Sequence, residues 1–183
     1  MAARAVIKMG NPFLALIAAP VDVFGGDELD TLIADLWDTM KAEGGVGIAA
    51  PQVGVGLRVV VFGLDEHPNE PDAVLIPATV LINPVITALD DDVALGWEGC
   101  LSVPGMRGVV PRHERIRYAG VDATGAPFSR EVDGYHARVV QHECDHLDGV
   151  LYPQRMPDLS QFGYTDELDR ALLENSTDAP EDE

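Results

Sequence analysis

The segment Gln141-His142-Glu143-Cys144-Asp145-His146 constrains this chain more than any other, because His-Glu-x-x-His on a helix sets two imidazoles one turn apart. At about 100° of rotation per residue, His142 and His146 fall within roughly 40° of each other, and Glu143 flanks the same face. Two metal ligands and one general base can therefore share a single ion. Cys144 projects to the opposite side, beside Ala137, Val140 and Leu147, and reads as a small core residue. A third ligand must come from elsewhere. Cys100, in Glu98-Gly99-Cys100-Leu101-Ser102, sits between glycine and turn-forming residues, where a thiolate can be presented from a loop or strand end.

A chain of 183 residues is the size of one domain and buries about two-thirds of its unfolded surface. Two cysteines, one placed at the metal and one in the core, give no disulfide framework, so a reducing compartment, the cytoplasm, is expected. The apolar run Phe13–Ala19 after Arg4 and Lys8 imitates a short signal peptide, but Gly10-Asn11-Pro12 interrupts its approach, and it is expected to open the fold. No segment is long and apolar enough to span a bilayer. A net charge of -19 argues against nonspecific nucleic-acid binding, which needs clustered Lys and Arg. Charge is uneven, however. Six of the 12 basic residues lie between Arg107 and Arg138, whereas residues 175–183 form an acidic tail expected to be disordered beyond a single domain over 1–174.

Leu29, Leu32, Ile33, Leu36, Trp37 and Met40 recur at helical spacing between an Asp27 cap and Gly44-Gly45. Leu57–Phe62 reads as a buried strand, and Val80-Leu81-Ile82 as an apolar stretch ending at Asn83-Pro84. Arg115–Tyr118 and Phe128–Val132 read as a hairpin around a turn at Ala123–Ala126. The metal helix is expected from about Tyr135 to Asp148, stopped by Gly149, and a last helix from a Thr165 cap. Strands packed around a central metal-binding helix, with an N-terminal amphipathic helix and a C-terminal one, make an α+β single domain.

Gly45-Val46-Gly47-Ile48-Ala49-Ala50-Pro51-Gln52, Glu98–Ser102 and Gln141–His146 together resemble, in order and approximate spacing, the three motifs of the peptide deformylases. The resemblance runs from Lys8-Met9-Gly10-Asn11-Pro12 to about Tyr152. It implies a metal-dependent hydrolase that removes the formyl group from the N-terminal formylmethionine of newly synthesised polypeptides and releases formate. The metal would be held by Cys100, His142 and His146, with Fe²⁺ the ion relatives often use and Zn²⁺, Ni²⁺ or Co²⁺ suited to the same donors. Glu143 would act as general base and then acid. The Gln52 side chain and the Leu101 backbone N–H would stabilise the oxyanion. In related enzymes the peptide lies extended beside the glycine motif, so Val46, Gly47 and Gly99 are candidates for strand-like pairing and Val139 for lining the methionine pocket. Arg107 matches a substrate-contacting position, and a solvated arginine fits it equally.

Arg138, one turn before His142, departs from the apolar pocket of many relatives; its stem is expected to line the wall while its head reaches water. His67, His113 and His136 have no partner at ligand spacing, and surface or hydrogen-bonded roles are expected for them. The partners expected are nascent chains and, through the basic stretch from Arg107 to Arg138, the ribosome near its exit. Two other readings use the same helix: a metallopeptidase, and a catalytically inactive protein with a closed structural zinc site.

Overall fold

The computed structural model describes residues 3–65 and 75–177; His67 and residues 178–183 lie outside them. The periodic segment after Gly26 forms helix α1, Asp27–Ala42. Its N-cap is Gly26, not Asp27. The carboxylates of Asp27, Glu28 and Asp30 instead occupy the first turn, where the helix dipole favours negative charge. Strand β1, Gly47–Ala49, follows the glycine turn, and β2, Val59–Leu64, begins two residues later than expected. Leu57 is held back by a bridge to Ala19, and the Arg58 N–H donates to the Ala19 carbonyl.

β3, Ile76–Ala88, does not stop at Asn83-Pro84. Asn83 takes a left-handed conformation at φ 51°, and the register shifts between Ile82 and Val85, so the proline is absorbed in a bulge. The Asn83 side chain clamps this bulge, accepting from the Val21 N–H and donating to the Val21 carbonyl, both at 2.9 Å. β4, Val93–Cys100, and β5, Val103–His113, form a long antiparallel pair for which the sequence carries no clear strand pattern. β6, Arg115–Val121, and β7, Pro127–Asp133, form the expected hairpin. Asp122 closes its turn by accepting from the N–H groups of Thr124 and Ala126. Helix α2, Gly134–Leu147, ends before Gly149, which takes φ 72°. β8, Phe162–Tyr164, leads into α3, Thr165–Thr177, a helix that runs three residues past the expected end of the domain at 174.

The strands make a five-stranded sheet in the order β1-β2-β3-β6-β7 and a three-stranded sheet in the order β4-β5-β8. Side chains of β2 alternate between two cores. Val59 and Val61 pack with Leu29, Leu32, Ile33 and Leu36 of α1, while Val60 and Phe62 pack with Ala137, Val140, Cys144 and Leu147 of α2. Such fully buried apolar side chains are each worth about 1.5–3 kcal/mol. Helix α2 also contacts β5, so it lies against both sheets in an α+β domain. Leu14 and Ala18 of the N-terminal apolar run are buried in the cores. No helix among the described residues is long and apolar enough to cross a membrane.

Candidate active site

All twelve residues from His136 to Leu147 of α2 are buried, and a polar side chain so placed needs a partner. His142 directs Nδ1 at Glu98 Oε2, 2.8 Å away, and its ring stacks on Tyr152 at 27°. Donation from Nδ1 to the carboxylate leaves Nε2 as the free ligand atom. His146 meets the His142 ring edge-on at 5.1 Å between centroids. At the end of β4 the register shifts between Gly99 and Cys100, and Cys100 Sγ lies 3.4 Å from His146 Nε2. One ligand atom from each of Cys100, His142 and His146 falls within 4.8 Å of the others. Among the described residues no further His, Cys, Asp or Glu joins this cluster, which does not favour a closed four-ligand site.

One sulfur and two imidazole nitrogens suit a borderline-soft divalent ion with a coordination position left open. Burial alone would lower the His142 pKa, yet hydrogen bonds to Cys100 and Glu98 hold it well above the ordinary histidine value. His146, with burial and the nearby His142 against its charged form, is pushed well below that value. Cys144 lies in the core, and burial raises its thiol far above the usual range.

Glu98 anchors the His142 ring. Its carboxylate accepts from Arg112 Nε and Nη2 at 2.9 Å each, from Arg138 Nη1 at 2.8 Å and from His142. Burial would raise its pKa, but the bonds from Arg112 and His142 outweigh this and hold it at about 2. Arg112 turns its other end to Asp145 at 2.6 Å, and Asp145 also pairs with Arg155 at 2.7 Å. The chain His142–Glu98–Arg112–Asp145–Arg155 thus supports one candidate ligand from behind. Glu98 and Asp145 both lie inside the sequence motifs, but only the tertiary fold brings the arginines to them.

The cleft in front of the cluster has a volume of about 450 Å³ and is lined in part by Val46, Gly47, Gln52, Gly99, Leu101, Val139 and Glu143. Glu143 Oε2 is buried without a hydrogen-bond partner. Burial, countered by the nearby His142, pushes its pKa up to about 7. Gly47 is required beside it, since a Cβ there would lie 2.5 Å from Glu143 Oε1. Gln52 is held on a short 3₁₀ turn, Ala50–Val53, by the Ala49 N–H donating to its Oε1 at 2.9 Å. Its amide nitrogen therefore points toward Ser102 Oγ at 3.2 Å and Cys100 Sγ at 3.5 Å.

Three side chains sit differently from expectation. Arg107 does not line the cleft; it stacks 4.9 Å over the Trp97 ring and pairs with Asp169 at 2.5 Å. The Arg138 head does not reach water but is buried among Glu98 and the carbonyls of Ala94, Gly96 and Val110. His136 is neither exposed nor hydrogen-bonded at Nε2. It packs against the rings of Phe62 and Tyr118, and burial lowers its pKa.

The family model for polypeptide deformylase matches residues 3–162. Peptide deformylase 1 of Nitrosomonas europaea is 59% identical over 165 residues, covering 90% of this chain and 94% of the relative. A crystal structure of a class I type b peptide deformylase from Acinetobacter baumannii is similar with a TM-score of 0.80 at 39% identity, over 85% of this chain and 100% of that chain. A second structure of such an enzyme from that organism, with Met-Ala-Ser bound, gives 0.80 at 40% identity over 84% and 98%. On this likeness in sequence and in fold, the chain is an enzyme and belongs to the peptide deformylase family.

Proposed function

We propose that this enzyme removes the formyl group from N-terminal formylmethionine of newly made polypeptides in the cytoplasm, giving formate and a free amino terminus. The observation that carries the reading is the convergence of Cys100, His142 and His146 within 4.8 Å beside an unpaired, buried Glu143 carboxyl oxygen. The Met-Ala-Ser bound to a similar deformylase supports a peptide that begins with methionine. Cys100, His142 and His146 would hold one divalent ion, Fe²⁺ by family resemblance, with Zn²⁺, Ni²⁺ and Co²⁺ compatible with the same donors. When bound, such an ion supplies Lewis acidity and brings the pKa of water toward neutrality.

The chain's own groups do the rest. Glu143 takes a proton from the attacking water and delivers it to the amine nitrogen as the C–N bond breaks. The Gln52 amide and the Leu101 backbone N–H stabilise the negative charge that develops on the formyl oxygen. β1 and β4 each end their sheet, so the cleft is flanked by two strand edges that an extended peptide could join through Val46, Gly47 and Gly99. The methionine side chain would enter beside Val139. Recognition through main-chain bonds and one apolar pocket admits many nascent chains. A ribosome contact through residues 107–138 has little free charge to use, because Arg107, Arg112, Arg115, Arg117 and Arg138 are all paired with carboxylates.

Protein purified anaerobically with ferrous iron is expected to release formate from formyl-Met-Ala-Ser and to lose that activity on chelation, regaining it with added metal. A metal-loaded protein that leaves the formyl peptide intact would overturn the proposal. Gln52→Ala is expected to lower kcat by about 10²–10³ with a smaller change in KM, since its amide acts on charge present only in the transition state. Steady-state kinetics on the same peptide would show this; a change confined to KM would remove Gln52 from the oxyanion site.

A further inference from the structure

Away from Cys100, β4 carries a row of exposed apolar side chains. Trp97, Leu95 and Val93, spaced two apart, expose 44%, 65% and 54% of their surface, while Glu98 between Gly99 and Trp97 is buried. Their register partners on β5 are Val109, Pro111 and His113. Three large apolar residues share one sheet face, exposed although the Arg107 guanidinium lies over one side of the Trp97 ring, and apolar rows of this kind mark contact sites more often than scattered exposure does. The row is continuous with the cleft, because Trp97 and Gly99 both line it.

Arg138 decides what kind of contact this wall can make. Its guanidinium donates to the carbonyls of Ala94 at 2.8 Å and Gly96 at 3.4 Å. It lies so close to Gly96 that a Cβ there would come within 2.8 Å of its Cζ. An extended ligand can use the backbone at Gly99, but the carbonyls of Gly96 and Ala94 are already occupied. Beyond Gly99 the wall offers side-chain surface. Sequence can then matter where main-chain pairing would ignore it.

We propose, resting on the deformylase reading, that Trp97 and Leu95 bind apolar residues at positions four and six of the substrate polypeptide. The phase follows from alternation. The methionine side chain enters on the α2 side at Val139, so side chains on the outer face shared by Gly99, Trp97 and Leu95 belong to even positions. Both strands advance about 3.3 Å per residue. With position two beside Gly99, position four meets Trp97 and position six meets Leu95.

The test compares formyl-Met-Ala-Ser with three hexapeptides, all C-terminally amidated and so uncharged, so that the net charge of -19 selects none of them. Formyl-Met-Ala-Ser-Leu-Ser-Leu should exceed formyl-Met-Ala-Ser-Gln-Ser-Gln in kcat/KM by roughly three- to tenfold, through KM. Formyl-Met-Ala-Leu-Ser-Leu-Ser, with leucine at odd positions, should show no such gain. In Leu95→Ser the ratio between the first two peptides should shrink toward unity, a comparison made within one protein and independent of its folded fraction. Equal values for the leucine and glutamine peptides, equal values for even and odd placement, or a ratio preserved in Leu95→Ser would overturn the proposal. So would sedimentation showing a dimer of the parent that Leu95→Ser abolishes, since a second copy would then cover this face. Turnover of the tripeptide without preference overturns this inference alone, whereas no turnover of any formyl peptide overturns the deformylase reading beneath it.

Discussion

Replacing Glu143 by alanine is expected to lower kcat on formyl-Met-Ala-Ser by about 10²–10⁴ while metal content and KM stay close to the parent. Glu143 is not among the clustered ligand atoms, and its Oε2 has no hydrogen-bond partner, so its removal breaks no described bond of that oxygen. What is lost is a base poised for proton transfer. Burial lifts the carboxyl to about 7, where it can take a proton from water and give it up again to the departing amine. A carboxyl at its ordinary pKa would hold that proton too weakly to return it efficiently. Kinetics at matched metal content, with metal measured by elemental analysis, separate this outcome from loss of the ion. A variant within tenfold of the parent in kcat would assign the proton transfer elsewhere.

The same residues show what sequence can reveal. His142, Glu143 and His146 were legible because helical spacing alone puts them together, and the α1, β2 and β6–β7 segments because their apolar periodicity agrees with their final layers. The glycine and turn setting of Cys100 makes it a candidate, but only family resemblance decides between a ligand thiol and a buried one, and the role of Gln52 rests on that resemblance alone. The β4–β5 pair has no legible strand pattern because Gly96, Gly99, Pro104, Gly105, Gly108 and Pro111 break the usual strand signal. Two of those glycines answer to distant side chains: Gly96 makes room for Arg138 and Gly108 for Met156. The end of β3 is hidden from sequence for a comparable reason, because a left-handed Asn83 clamped by Val21 carries the strand past proline. The network behind His142 has no local signature at all. Glu98 meets its partners across 14, 40 and 44 residues, distances that periodicity cannot bridge.

That network predicts the second large effect. Glu98→Gln preserves shape but leaves Arg112 buried with Asp145 as its remaining carboxylate and Arg138 buried with backbone carbonyls alone, and it deprives His142 Nδ1 of an ionised acceptor. Removing one partner of a buried ion pair costs about 3–5 kcal/mol, because the charges left behind stay out of water. For a domain of this size the Tm should fall on the order of 10 °C. Loss of the bond that orients a metal-ligating histidine should also weaken metal binding by about 10–100-fold. Stability and site can be separated by adding Arg138→Met to Glu98→Gln. This second change removes one stranded guanidinium and should recover part of the lost stability, while the His142 ring remains without its carboxylate and metal affinity stays low. Denaturant unfolding and competitive metal titration on the parent, both single variants and the double variant would read the two effects independently. If the double variant regained metal affinity along with stability, Glu98 would be acting on the ion only through the fold.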